Sequence, residues 1–264
     1  MGRRLVYIRP QAGYLPLTTA WIAATGESDT TILNALNTFE ASIISNSMSG
    51  DIIAYYPMVG GNSTKHAFNF MNTALYNLTF VGGWTHSATG ALPNGTNGYA
   101  NTSLNGSTVL TQNNNHIGFY SRTNTAAALR SSMGCFNGTN TLAMQLKIAG
   151  NLARGFNNSL TATQYTNVSN TDSSGFYLVN KTSSAIGGLV MDKNGTQIAS
   201  NSAAITTNAY ANTNVIISAL STSSSFDDRE CAGALIGLGL NSTKRGQISS
   251  MINALNTSLL RNVY

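Results

Sequence analysis

The densest group of chemically capable side chains is Asp227-Asp228-Arg229-Glu230, which holds three of the nine acidic residues of the chain. On a strand, positions two apart share a face, so Asp228 and Glu230 would stand side by side. Two facing carboxylates are what glycoside hydrolysis requires, one as acid and one as base or nucleophile. The same oxygens, helped by Asn-rich loops, are the type that Ca²⁺ takes. Arg229 in their midst favours a neutralised, solvated stretch instead, and the E-x-D-x-E spacing of sandwich glucanases is missing. A second group lies in the loop 82–100, where Trp84, His86, Asn94, Asn97 and Tyr99 follow Gly82-Gly83. Aromatic rings stack on the apolar face of a sugar while amides read its hydroxyls, so these five form a candidate glycan surface. The competing reading makes Trp84 an anchor and the remainder turn chemistry, and it is the favoured one.

Other chemistry is scarce. His66, His86 and His116 are isolated, with no HExxH pair. Cys135 and Cys231 lie far apart with no CxxC and no flanking His, which disfavours a metal site; they could pair, and two buried free thiols is the favoured reading. No phosphate loop, G-x-S-x-G elbow or dinucleotide fingerprint occurs. No cofactor is expected.

The elements that must position these residues follow from composition and period. Of 264 residues, 32 are Asn, 31 Thr and 29 Ser, and only 9% are charged, against roughly 25% in an ordinary soluble domain. Too few Glu, Lys and Arg exclude a coiled coil, 42% hydrophobic content excludes a charge-rich disordered chain, and 25 Gly without a triplet period exclude collagen. Thr fits a pleated surface, while Asn, Gly and Ser make turns. The basic residues giving a net charge of +5 are scattered, so no nucleic-acid partner is expected.

Residues 1–27 read as irregular, with one short strand at Leu5–Ile8. Ser28 or Asp29 can cap a helix over about 29–46, in which Ile32, Leu36, Phe39 and Ile43 form one apolar stripe. That stripe could pack on its own domain or on a neighbouring subunit; as an exposed stripe it is a candidate interface. From Asp51 the period becomes two. Strands are predicted at 52–61, 78–83, 116–122, 141–148, 214–220 and 232–240, and a hairpin at 188–200 turns on Asn194-Gly195. In 141–148, Leu142, Met144, Leu146 and Ile148 share one face; 214–220 and 232–240 are apolar on both faces, as central strands would be. A final helix carries Ile248, Met251, Ile252, Leu255 and Leu259 on one stripe, capped by Ser242 or Thr243. The expected class is mainly β, an antiparallel sandwich, barrel or jelly roll.

Twelve N-x-[ST] sites occur, where composition alone predicts roughly seven, and they are read as a product of composition. The apolar run Leu5–Ile8 is cut by Arg9-Pro10 and is too short for a secretory core; Val6 breaks the myristoylation pattern. The run 231–240 is about half a membrane span. The expectation is a soluble chain made in a cytoplasm without export, with no membrane span.

Several stretches resemble the concanavalin A-like (laminin G-like) jelly-roll domains of tailed-phage structural proteins. They are AYYPMVGGNSTKHAFNF (54–70), LTFVGGWTHSATGALPNGTNGYANTSL (78–104), NNNHIGFYSRTN (113–124), GALIGLGLNS (233–242) and LNTSLLRN (255–262). The resemblance covers most of 51–264 and implies a two-sheet jelly roll on a virion component, such as a capsid decoration protein, head fibre or tail fibre. It carries over no functional residue. The expected organisation is an attachment segment over 1–50 followed by a jelly-roll domain over 51–264. The expected function is that of a non-enzymatic virion protein, assembled in the host cytoplasm, homo-oligomeric and bound to other capsid or tail subunits. A carbohydrate-binding or receptor-binding fibre module, with host surface glycan as a partner, is the alternative. A polysaccharide-degrading enzyme using Asp228 and Glu230 is the second.

Overall fold

The computed structural model describes residues 13–158, 162–205 and 210–264. In chain order the described elements begin with α1 (Pro16–Thr25), α2 (Thr30–Ser45), β1 (Ile52–Tyr56), α3 (Ser63–His66), β2 (Thr79–Val81), β3 (Trp84–Ser87) and β4 (Gly90–Pro93). They continue with β5 (Tyr99–Asn105), α4 (Gly106–Val109), β6 (Asn115–Ser121), β7 (Met133–Phe136), β8 (Thr141–Ile148), β9 (Leu152–Asn157) and β10 (Thr166–Ser169). The last are β11 (Gly175–Lys181), β12 (Leu189–Lys193), β13 (Thr196–Ser200), β14 (Asn214–Ile217), β15 (Cys231–Gly237) and α5 (Ser242–Ser258).

The strands form two antiparallel sheets stacked as a sandwich, with helices at both ends of the described chain. One sheet has seven strands in the order β10-β9-β8-β7-β14-β5-β2. The other has eight, in the order β13-β12-β11-β6-β15-β4-β3 with β1 also paired to β15. The alternation in 141–148 holds through Leu146: Leu142, Met144 and Leu146 point between the sheets and join Ile117, Phe119 and Ile236 from the opposite layer, while the pairing with β9 slips between Gln145 and Ile148 and leaves Ile148 buried outside that cluster. The turn between β12 and β13 uses Asn194 at φ 53° and Gly195 at φ 81°, the left-handed pair that a tight hairpin needs.

Strand β15 is buried along its whole length because its sheet is covered on both sides. Ala234 and Ile236 face the sandwich interior, while Ala232 and Leu235 face a second apolar cluster built with α1, α2 and α5. There the helix stripe finds its partners. Leu36, Phe39 and Ile43 are buried against the sheet and α5, and Ile32 is half-buried at the edge of the same cluster. The Phe39 ring sits 4.7 Å from that of Tyr55 and 6.2 Å from that of Phe70. Each side chain buried in this way contributes about 1.5–3 kcal/mol.

Three local expectations need correction. Residues 16–25 form a helix where irregular chain was expected: Pro16 opens it, and the Glu40 carboxylate on α2 accepts hydrogen bonds from the backbone N–H groups of Leu17 and Thr18, the orphan donors of its first turn. The cap of α5 is Asn241, one residue before the expected pair, its side chain accepting from the Lys244 N–H. Residues 225–230 are loop leading into β15, so Asp228 and Glu230 do not share a strand face. Asp29 caps α2 as expected. The strand expected at Leu5–Ile8 lies outside the described residues. Among the described residues no helix is long and apolar enough to cross a membrane.

Candidate functional site

The acidic run is spent on arginines. Asp227 and Arg229 are fully buried and meet at 2.6 Å, and the second Asp227 oxygen accepts from the Ser132 hydroxyl. Asp228 pairs with Arg130 at 2.9 Å, and Glu230 with Arg122 at 2.8 Å while also accepting from Thr89. Each carboxylate is thus held by a different basic partner. The arrangement fixes the start of β15 and the loop before it. Among the described residues no group of three metal-ligating side chains converges. Cys135 and Cys231 are both free and buried.

The loop around Trp84 is likewise committed to its own architecture. The indole N–H donates to the carbonyls of Val81 (3.0 Å) and Tyr99 (3.3 Å), tying β3 to its neighbours. Its ring meets Phe80 edge-on at 5.0 Å and lies parallel to His86 at 6.1 Å. The Asn94 side-chain oxygen accepts from the N–H groups of Thr96, Asn97 and Gly98, and its amide donates to Asn97 at 2.7 Å. Tyr99 stacks on Phe226. The structure therefore brings Trp84 and His86 together, joins Asn94 to Asn97, and sets Trp84 and Asn94 on one shallow concavity of about 260 Å³. Tyr99 belongs to a separate aromatic contact.

His86 Nδ1 lies 2.9 Å from His66 Nδ1, linking β3 to α3. Burial drives the His66 imidazole down to about 3 and lowers that of His86, so both rings are neutral near pH 7. Burial also pushes His116 down to about 4, with its Nδ1 against the Leu238 carbonyl.

Sequence reasoning missed a cleft on the solvent face of the seven-stranded sheet. It has a volume of about 330 Å³ and is lined by Asn101, Asn105, Phe136, Asn214 and Ile216 of the sheet, with Asn212 and Thr213 before β14 and Ser221 and Thr222 in the loop after it. The pairing pattern explains why these residues meet. Ile216 lies opposite Asn101 on β5 and Gly134 on β7, and Asn214 lies opposite Asn105. Val215 and Ile217 point into the core, so Asn214 and Ile216 must point out. The wall of the cleft depends on Gly134. A Cβ there would lie 2.5 Å from the Leu220 Cα, so only glycine lets the loop 218–226 cross the sheet so closely. That loop is pinned by Ser218 N–H on the Ser132 carbonyl and Asp227 N–H on the Ser218 carbonyl, beside the buried Asp227–Arg229 pair. No side chain lining the cleft is charged.

No protein-family model matches the sequence. No curated protein matches it either. Solved structures do share the fold. A Trypanosoma rangeli sialidase in complex with a difluorinated nononic acid superposes with a TM-score of 0.52 at 8% identity, covering 82% of this chain and 39% of that one. The binding domain of botulinum neurotoxin serotype D gives 0.50 at 10% identity, covering 78% of this chain and 53% of that one. The chain thus spans between about two fifths and half of these neighbours' lengths. What the likeness shows is the β-sandwich.

Proposed function

We propose that this chain is a non-enzymatic glycan-binding module carried on a bacteriophage virion. The observation that carries the reading is the uncharged, amide-lined cleft on the open face of the seven-stranded sheet. Concave sites of this kind, a little apolar surface edged by fixed polar groups, are how proteins hold small polar ligands. A binding role is further supported by the engagement of Asp227, Asp228 and Glu230 with Arg229, Arg130 and Arg122, which leaves no facing acid pair in that run. A sialidase solved with a sugar acid shares the fold, which is consistent with a saccharide ligand without specifying its charge. The virion setting rests on the sequence resemblance of 54–70, 78–104, 113–124, 233–242 and 255–262 to phage jelly-roll domains. In that setting the chain is assembled in the host cytoplasm as a homo-oligomer attached to other capsid or tail subunits, and host surface glycan is its external partner.

Two experiments test the two halves. Mass spectrometry of purified particles from a phage encoding this chain should detect it at structural stoichiometry; its absence from particles removes the virion assignment. A glycan array probed with the purified chain should give saccharide binding that survives Glu230→Gln; reducing-end release from host capsule or cell wall, abolished by the same substitution, would replace binding with hydrolysis.

A further inference from the structure

We infer that the cleft of the seven-stranded sheet selects neutral glycans, free of carboxylate or sulfate, and reads their hydroxyls through two self-oriented asparagine pairs. This rests on the glycan-binding reading above and names the ligand class of the same site.

The argument begins with the amides. An isolated Asn side chain can flip, offering a donor or an acceptor at the same place. Here the flip is fixed from within. Asn214 Nδ2 donates to Asn101 Oδ1 at 3.0 Å, and Asn101 Oδ1 also accepts from the Ser103 N–H at 2.9 Å. Asn105 Nδ2 donates to Asn212 Oδ1 at 2.9 Å, while Asn105 Oδ1 accepts from the Ser107 N–H and hydroxyl. The first pair uses one donor and one acceptor and the second one donor and two acceptors, so on these cleft-lining residues Asn101 Nδ2, Asn212 Nδ2 and Asn214 Oδ1 make no hydrogen bond within the described residues. Thr222 adds an exposed hydroxyl from the opposite wall. A sugar hydroxyl both donates and accepts, so a fixed mixture of donors and acceptors complements a run of hydroxyls.

The apolar half of a pyranose is matched by the half-buried Phe136 ring. The cleft is near the lower end of the roughly 300–1,000 Å³ typical of small-molecule sites, which suits a terminal residue or short oligosaccharide. Charge settles the class. Recognition of a carboxylate or sulfate uses Arg or Lys, commonly in a bidentate pair, and none lines this cleft. An acidic sugar placed here would lose hydration without gaining an opposite charge, and the unbonded Asn214 Oδ1 would repel it. Binding of a neutral ligand also escapes salt screening.

The test is an array carrying neutral hexose and N-acetylhexosamine oligosaccharides beside sialylated and sulfated ones, followed by calorimetry on the best neutral hit at 0.1 and 1 M salt. Two variants accompany the wild type: Phe136→Ala, which removes the stacking ring, and Thr222→Tyr, which fills the cleft from an exposed loop without touching the core. The expected result is neutral hits only, affinity changing less than 2-fold with salt, and a loss of at least 10-fold in both variants. Binding confined to acidic glycans, or collapsing in high salt, overturns the neutral class while leaving a glycan-binding module in place. Neutral binding unchanged in Thr222→Tyr overturns the assignment to this cleft. No binding to any glycan overturns both this inference and the function on which it rests.

Discussion

The outer faces of the two sheets start from similar strands and end in opposite surroundings. Behind the eight-stranded sheet, three helices lay down an apolar layer, and β15 is consequently apolar on both of its sides. The outer face of the seven-stranded sheet carries Asn101, Asn105, Phe136, Asn214 and Ile216 around an open cleft. The same alternation of side chains thus yields a second core on one side and an open, amide-lined cleft on the other. What decides is whether amphipathic helices are available to cover the face. Under the proposed function, stability lies with the covered sheet and specificity with the open one.

The sharpest test of that division is to damage the covered face. Phe39→Ala removes a ring packed between Tyr55 and Phe70, and it is expected to lower unfolding free energy by about 3–5 kcal/mol in urea titration while leaving glycan affinity of the folded fraction unchanged. Acid should act on the same side. His116 is in β6 of the eight-stranded sheet, and His66 contacts His86 of β3 in that sheet. Their folded pKa values, about 4 and about 3, lie below the roughly 6.5 of an unfolded histidine. The unfolded chain therefore takes up protons first. Stability is complete above about pH 6.5 and falls as pH drops toward 4, by about 2 kcal/mol per histidine at pH 5. Thermal melts from pH 7 to pH 4.5 should show this decline, and His116→Asn should roughly halve it; a melting temperature constant across that range would contradict the burial of both rings.

On the open face the expected effects on stability shrink while those on binding grow. Gly134→Ala would force Leu220 off the sheet and is expected to cost about 1–3 kcal/mol. By displacing the cleft wall it should also weaken glycan binding at least 10-fold by calorimetry. Phe136→Ala, at a half-buried position, should change unfolding free energy by less than about 1 kcal/mol while weakening glycan binding at least 10-fold. A large stability loss there would show that both sheets share the load.

Much of the architecture was legible because burial imposes periods. Leu142, Met144 and Leu146 announced β8, Asn194-Gly195 announced the β12–β13 hairpin, and the doubly apolar 232–240 announced a strand covered on both sides, which ends at Gly237. Helix α1 escaped because its residues form no clean apolar stripe: of its ten residues only Thr18 and Trp21 are buried. It is held by Glu40 from α2, a contact that no local pattern encodes. The cleft was illegible for a different reason. Asn101 and Asn214 are two among 32 asparagines, separated by more than a hundred residues, and only the β5–β14 register makes them neighbours. Trp84 drew notice for its residue type, yet its indole N–H is bonded to backbone carbonyls. The signal that could have pointed to the cleft is Gly134, alone between inward-facing Met133 and Cys135, marking a place where another segment of chain crosses the strand.

The two cysteines offer a way to watch the layers separate. Cys135 belongs to the seven-stranded sheet and Cys231 to the eight-stranded one, and neither is bonded to the other. Both thiols are sealed inside, where burial raises their pKa and suppresses the reactive thiolate. An alkylating pulse will therefore mark a sheet only while it is open, so the order in which the two peptides acquire label gives the order in which the sandwich comes apart.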